Sequence, residues 1–239
     1  MEPRLSIVVP LLNEFAILPQ LIEQLESLDA HQLIIVDGGS QDGSSAWLAS
    51  NWCQPESSNT LSQSRLLLTS AKGRANQMNT GAASAIGDVL LFLHADTILP
   101  LSAKKEIFDA INMERLWGRF NVSFSDDQSV SMKVVAWFIN WRSRLTGIAT
   151  GDQAIFIQAH LFRQLNGFAN IPLMEDVEMS KRLKQHCQPY CSTAQVKTSA
   201  RRWRKNGVVK TILFMWVLRL GYLIGVPSQR LAKIYRSVR

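Results

Sequence analysis

The sequence predicts an α/β fold built on a mostly parallel sheet sandwiched by helices. Three observations point there. Short β-branched apolar runs alternate with stretches of helical periodicity through residue 112, the pattern of parallel strands joined by right-handed crossovers. Several of the runs end abruptly in polar or acidic residues, where an open sheet of this kind places its ligands. No repeat or low-complexity tract interrupts the 239 residues, a length that suits one large α/β domain.

Ser6–Pro10 is a β-branched run closed by proline and reads as a buried strand. From Pro19, the spacing of Leu21, Ile22, Leu25 and Leu28 predicts a helix. Leu33–Val36 is a second buried strand ending in Asp37-Gly38-Gly39-Ser40, after which Asp42 or Ser44 can cap a short helix through Trp47 and Leu48. The Ser- and Asn-rich segment 54–63 reads as a surface loop. Arg65–Thr69 is a third strand, Gly73–Ile86 a helix rich in small residues, and Asp88–Leu93 a fourth strand ending at His94-Ala95-Asp96. The second half is less regular: a strand over Leu116–Phe124, an aromatic-rich helix over Val130–Arg144, a short strand over Ala154–Ile157 and a helix over Glu175–His186.

Composition narrows the function classes. The apolar share of 46% is that of a globular chain, and three cysteines are too few for a disulfide scaffold. No run reaches the roughly 18 apolar residues of a spanning helix, and the N-terminus has no signal-peptide pattern; the expected location is cytoplasmic. The net charge of +7 is uneven, because the first 100 residues are acidic on balance and the remainder strongly basic, with ten basic and no acidic side chains from Arg201 onward. Such a C-terminus faces a polyanion, whether nucleic acid, anionic lipid or a phosphorylated substrate. Nucleic acid is the poorest fit, since no recognised module or aromatic-interleaved polar surface is present. A dinucleotide fingerprint after the first strand and a Walker-type loop are both missing.

The chemistry-bearing residues cluster after strands. Asn13 and Glu14 follow the first strand, Asp37 the second and Asp96 the fourth; each could cap the next element, yet together they line one sheet edge. Gly38 and Gly39 let backbone approach a ligand closely. Lys72-Gly73-Arg74 precedes a helix N-terminus, a setting that suits a diphosphate. Asp96 reads either as a turn cap or as a ligand for Mg²⁺ or Mn²⁺, cations commonly held by one or two carboxylates plus phosphate. Glu175-Asp176 complements a helix dipole or supplies a carboxylate that deprotonates an acceptor hydroxyl, with Gly151-Asp152 as an acceptor-side loop. Trp137, Trp141 and Trp203 are core residues or acceptor-cleft walls.

Taken in order, Ser6-Ile-Val-Val-Pro-Leu-Leu-Asn-Glu14, Ile35-Val-Asp37-Gly-Gly-Ser-Gln-Asp-Gly-Ser44, Leu93-His-Ala-Asp96 and Glu175-Asp176 resemble family 2 glycosyltransferases of the GT-A fold. Lys72-Gly-Arg-Ala-Asn-Gln-Met-Asn-Thr-Gly-Ala82, Gly151-Asp-Gln-Ala-Ile-Phe156 and Arg201-Arg-Trp-Arg204 are further similar to a bacterial subgroup linked to radical-SAM and arsenosugar genes. The resemblance implies a GT-A domain over 1–205 that transfers one sugar, with inversion, from a nucleotide-sugar donor (a UDP-sugar first) to a hydroxyl acceptor that could be lipid-linked. Pro10, Asn13, Glu14, Asp37, Gly38, Gly39, Lys72, Arg74 and His94 would bind the nucleotide, and Asp96 would hold the metal. Asp176, with Glu175 beside it, would be the catalytic base; Gly151, Asp152, Arg202 and Trp203 would meet the acceptor. His94 stands where the family's metal motif has its first Asp, and Ser199 replaces the Gln of the processive enzymes' Gln-x-x-Arg-Trp. A catalytically inactive GT-A-like module serving membrane or protein interaction is the alternative.

The remaining segment, 206–239, is basic and apolar. Leu231, Ile234, Tyr235 and Val238 form an i, i+3, i+4, i+7 stripe between Arg230, Lys233 and Arg236. Such a helix packs on its own domain, on a second subunit of a homodimer, or on the inner face of the cell membrane as a peripheral anchor.

Overall fold

The structure is a computed structural model that describes residues 2–53 and 63–237, without the side chain of Arg202. The loop expected at 54–63 and Val238 of the C-terminal stripe lie outside the described residues, except for Gln63. Seven strands form one sheet: β1 (Leu5–Leu11), β2 (Gln32–Asp37), β3 (Ser64–Thr69), β4 (Val89–Phe92), β5 (Trp117–Phe124), β6 (Ile155–Gln158) and β7 (Tyr190–Thr198), in the order β3-β2-β1-β4-β6-β5-β7. The first four are parallel, with Val8 opposite Ile34 on one side and Phe92 on the other. β6 runs antiparallel between β4 and β5, and β7 pairs parallel to β5 at the edge.

Helices α1 (Leu18–Ser27), α2 (Ser44–Asn51) and α4 (Ala103–Asn112) alternate with β1–β5 as the sequence predicts, and α3 (Arg74–Ala83) links β3 to β4. The central strands are buried on both faces, which explains their unbroken apolar runs. Alternation sends Ile7, Val9, Leu33, Ile35 and Leu91 toward Leu18, Leu21 and Leu25 of α1 and Ile107 of α4. It sends Val8, Ile34, Val36 and Leu90 toward Ala75, Met78 and Ala82 of α3. On that second face α3 lies so close that a Cβ at Gly81 would sit 2.4 Å from Val8 Cγ1 and 3.0 Å from Val36 Cγ2. The small residues read from the sequence are therefore what let this helix approach the sheet.

The C-terminal half adds α5 (Val130–Thr146), α6 (Ala159–Gln164), α7 (Glu175–Lys184), α8 (Arg201–Asn206), α9 (Val208–Leu223) and α10 (Ser228–Ser237). Gly225 (φ +88°) and Pro227 separate α9 from α10. Leu231 of α10 is buried with Leu218 of α9 and with Met174 and Val177 at the start of α7. Tyr235 stacks on Phe214 at 6.5 Å, while Ile234 is 49% exposed. Leu231 and Tyr235 of the stripe thus pack on α7 and α9. A different apolar surface faces outward: Trp137 and Trp141 of α5 stack at 5.9 Å, Phe138 lies 6.0 Å from Trp216 of α9, and Leu220 is also exposed. Among the described residues no helix is long and apolar enough to cross a membrane.

Gly81→Ala should cost about 1–3 kcal/mol of folding stability by forcing α3 off the sheet. Urea unfolding would read this as a lower midpoint at unchanged slope; an unshifted midpoint would mean that α3 moves away freely.

Candidate active site

The carboxyl ends of β1 and β2 form one rim of the candidate site. Asp37 is buried at the end of β2 and accepts from the amides of Gly39 (3.3 Å) and Ser40 (3.1 Å) and from the Ser40 hydroxyl. Gly38 donates to Leu11 O at 2.9 Å. The buried amide of Gln77 donates to Leu11 O (2.7 Å) and Val36 O (2.9 Å), so one α3 side chain ties the two strand ends together. It fills the room a side chain would need, because a Cβ at Gly38 would be 2.9 Å from Gln77 Cδ. Asn79 similarly braces Phe168, accepting from its amide and donating to its carbonyl. The run of amides in α3 is thereby explained as backbone support.

Next to this rim, Asn13 sits at φ +54° and accepts from the Gln41 amide at 2.8 Å, while its own amide donates to Ser40 Oγ at 2.9 Å. Asp42 accepts from the amides of Phe15 (2.9 Å) and Ser44 (3.0 Å). The Ser44 hydroxyl, more than those amides, holds the Asp42 carboxyl below its ordinary range. Asn13 and Asp42 therefore lock the β1 and β2 loops to each other. Pro10 and Glu14 are half-buried beside them, and Gly39 is exposed at φ +89°.

A second rim of the site gathers residues from four distant segments. Arg74 opens α3, and its Nη1 lies 3.4 Å from Oε1 of the buried Glu175 at the start of α7. Desolvation works against the Arg74 charge, but its side chain stays 40% exposed, and the carboxylates of Glu175, Asp176 and Asp96 hold the guanidinium more firmly protonated. For Glu175 burial dominates, reinforced by Asp176, and the carboxyl is pushed up despite Arg74. Asp176 accepts from the Gly151 amide at 2.8 Å through Oδ2 and from the Val177 amide at 2.7 Å through Oδ1. Gly151 abuts the His94 ring, since a Cβ there would be 2.5 Å from His94 Nε2. His94 O accepts from Thr97 N across the turn that carries the half-buried Asp96. Arg74, His94, Asp96, Gly151, Glu175 and Asp176 are thus brought together, with Lys72 exposed just ahead of α3.

Two of the residues expected on the acceptor side belong to α8. Trp203 meets Phe124 edge-on at 6.0 Å in a satellite core with Met132, Val135 and Ala136, apart from the Arg74 cluster. Arg202 lies in α8, its side chain outside the described ones. The sequence reading also missed Arg142 of α5, a half-buried side chain in the electrostatic field of Asp152 and Asp176. A lone Arg beside Trp141 carries no motif, so no signal marked it.

The family model described as "Glycosyl transferase family 2" matches residues 6–162. The chain is 27% identical over 170 residues to the undecaprenyl-phosphate 4-deoxy-4-formamido-L-arabinose transferase of Yersinia enterocolitica, covering 66% of this chain and 48% of that protein. It resembles the mannosyltransferase PcManGT from Pyrobaculum calidifontis, solved in complex with GDP-Man and Mn²⁺, at 18% identity and a TM-score of 0.60, covering 92% of this chain and 65% of that one. It also resembles S. aureus TarS 1-349 in complex with UDP, at 16% identity and a TM-score of 0.62, covering 82% and 60%. These two likenesses show a shared GT-A architecture, the mixed, mostly parallel sheet flanked by helices. The chain spans about half the length of the curated relative and under two thirds of either structure.

The raised Glu175 carboxyl makes a prediction about pH. Its ordinary value is 4.5, so the stability it lends is fully present below that pH and is lost as pH rises through the higher folded value. Glu175→Gln removes this titration. The variant's melting temperature, relative to wild type, should rise as pH is increased from 4.5; a constant difference would show that burial leaves Glu175 unperturbed.

Proposed function

The chain belongs to glycosyl transferase family 2, and from that premise we propose that it moves one sugar from a nucleotide-sugar donor to an acceptor hydroxyl, with inversion at the anomeric carbon. The observation that carries this reading is the single charge cluster that joins segments 74, 96, 151 and 175–176 through Arg74 and the Gly151 amide.

The donor nucleotide lies along the β1–β2 rim. Asp37, its carboxylate set by the amides of Gly39 and Ser40, reads the base, while Pro10, Glu14, Gly38 and Gly39 frame the pocket. Lys72, Arg74 and the N-terminal amides of α3 take the diphosphate, next to His94. A UDP-sugar is the first choice of donor; UDP is the nucleotide in TarS and GDP-Man that in PcManGT.

Asp96 is the residue that would hold Mg²⁺ or Mn²⁺. No group of three or more potential metal-ligating side chains occurs among the described residues; a cation on Asp96 would take the rest of its shell from diphosphate oxygens and water. When bound, such a cation neutralises charge on the departing diphosphate.

Asp176 acts as the base. The amides of Gly151 and Val177 orient its carboxylate and leave it further lone pairs. The acceptor oxygen attacks the anomeric carbon opposite the diphosphate, the bond from that carbon to the diphosphate oxygen breaks, and the hydroxyl proton passes to Asp176. Glu175 holds Arg74 in place, and Gly151-Asp152 borders the acceptor. The exposed aromatic surface of α5 and α9 suits a lipid-linked acceptor and peripheral attachment to the inner face of the membrane, and the curated relative is named for a lipid phosphate.

Thermal shift with UDP, GDP, CDP and dTDP, each with and without Mn²⁺, should show metal-dependent protection by one nucleotide, lost in Asp96→Ala. A flat response to all four sinks the transferase reading. Asp176→Asn should keep that protection while kcat falls about 10²–10⁴-fold; unchanged turnover would remove Asp176 from the chemistry.

A further inference from the structure

Arg142 presents an unanswered edge. Its Nε and Nη2 atoms are buried and make no hydrogen bond among the described residues. Those two atoms form one side of the guanidinium fork, the side that grips two oxygens of a phosphate or carboxylate in parallel. Two further arginines and two carboxylates share its electrostatic field. Burial, and then the positive charge of Arg219 on α9, bring the Arg142 guanidinium down to about 10, with Asp152 and Asp176 opposing and Arg119 adding to the fall. Arg119 is fully buried in β5 and is answered by neutral oxygens, those of Phe120, Asn121 and Asn140. Among the described residues none of these three arginines forms an ion pair. On the facing side, Asp152 Oδ1 is buried without a hydrogen bond too.

Positive charges gathered around unmet donors fit an anion. The neighbouring surface says what carries it. Trp141 precedes Arg142 and Leu220 follows Arg219, both exposed, and they continue into the outward face of Trp137, Phe138 and Trp216. No Asp or Glu follows Glu178 in the chain. An amphiphile with an acidic head therefore matches both parts of this surface.

We propose that Arg142 and Arg219 form the acceptor's phosphate subsite, binding the phosphate of a lipid whose hydrocarbon lies along the aromatic face of α5 and α9. This assignment rests on the transferase reading, and it places the acceptor's phosphate beside Asp152, on the Asp176 side of the candidate site.

The test uses the full-length protein and phosphatidylcholine vesicles containing phosphatidic acid, a phosphomonoester, or phosphatidylserine at matched surface charge. Inorganic phosphate is added separately in thermal shift. Wild type should prefer the phosphatidic acid vesicles. Arg142→Gln and Arg219→Gln should each lose roughly tenfold in that affinity, and Arg142→Lys, which keeps charge but not the fork, should lose as well. Lys105→Gln, on the exposed side of α4, should bind as wild type. Nucleoside-diphosphate protection retained in the arginine variants shows that they fold. Arginine variants that bind like wild type, or equal binding to the two vesicle types, would overturn the proposal. Protection by inorganic phosphate without vesicle preference would overturn the lipid assignment in favour of a soluble phosphate. Arginine-dependent lipid binding in a protein that ignores every nucleotide would keep the subsite and sink the transferase reading instead.

Discussion

A single turn of α3, from Arg74 to Gln77, holds the two rims of the candidate site in fixed relation. Gln77 joins the ends of β1 and β2 from within the core, and one turn earlier Arg74 reaches Glu175, 101 residues away in sequence. Neither contact would form unless α3 lay close against Val8 and Val36, which the missing side chain at Gly81 permits. Contact with Arg74 offsets part of the cost of burying Glu175, and so ties the position of α7 to that of α3. Asp176 and the 151 loop follow from there.

The parts of the fold legible in the sequence are those whose burial is extreme. β1, β2 and β4 are covered on both faces and so spell unbroken apolar runs. β7 was missed because it is an edge strand in which buried Ser192, Val196 and Thr198 are interspersed with polar or exposed neighbours; that pattern is nearly silent on any hydropathy scale. The antiparallel setting of β6 was equally hidden, since direction depends on pairing with β4 and β5 rather than on its own four residues. In the tail, α10 has a readable stripe, whereas α9 is apolar almost all round, and only packing decides that Leu218 turns inward and Trp216 outward.

The candidate site divides along similar lines. Arg74, Asp96, Gly151 and Asp176 stand at helix starts or in loops beside strand ends, where a sequence pattern and a sheet edge coincide, and they converge. Asn13 stands at the same sheet edge, its side-chain oxygen accepting from the Gln41 amide. The converse holds for Arg142: its sequence neighbours are those of a solvated surface arginine, and only the burial of its Nε–Nη2 edge distinguishes it.

Gly151 has a mechanical meaning beyond its place in the candidate site. Its amide holds Asp176, and its α-carbon has the His94 ring for a wall, with no slack for even a methyl group between them. Contacts this close transmit displacement instead of absorbing it. The 94–97 turn, the 151 loop and the first turn of α7 therefore behave as a closed linkage with little play. A push on the imidazole arrives at the Asp176 carboxylate by way of Gly151, so the two side chains will fluctuate in step.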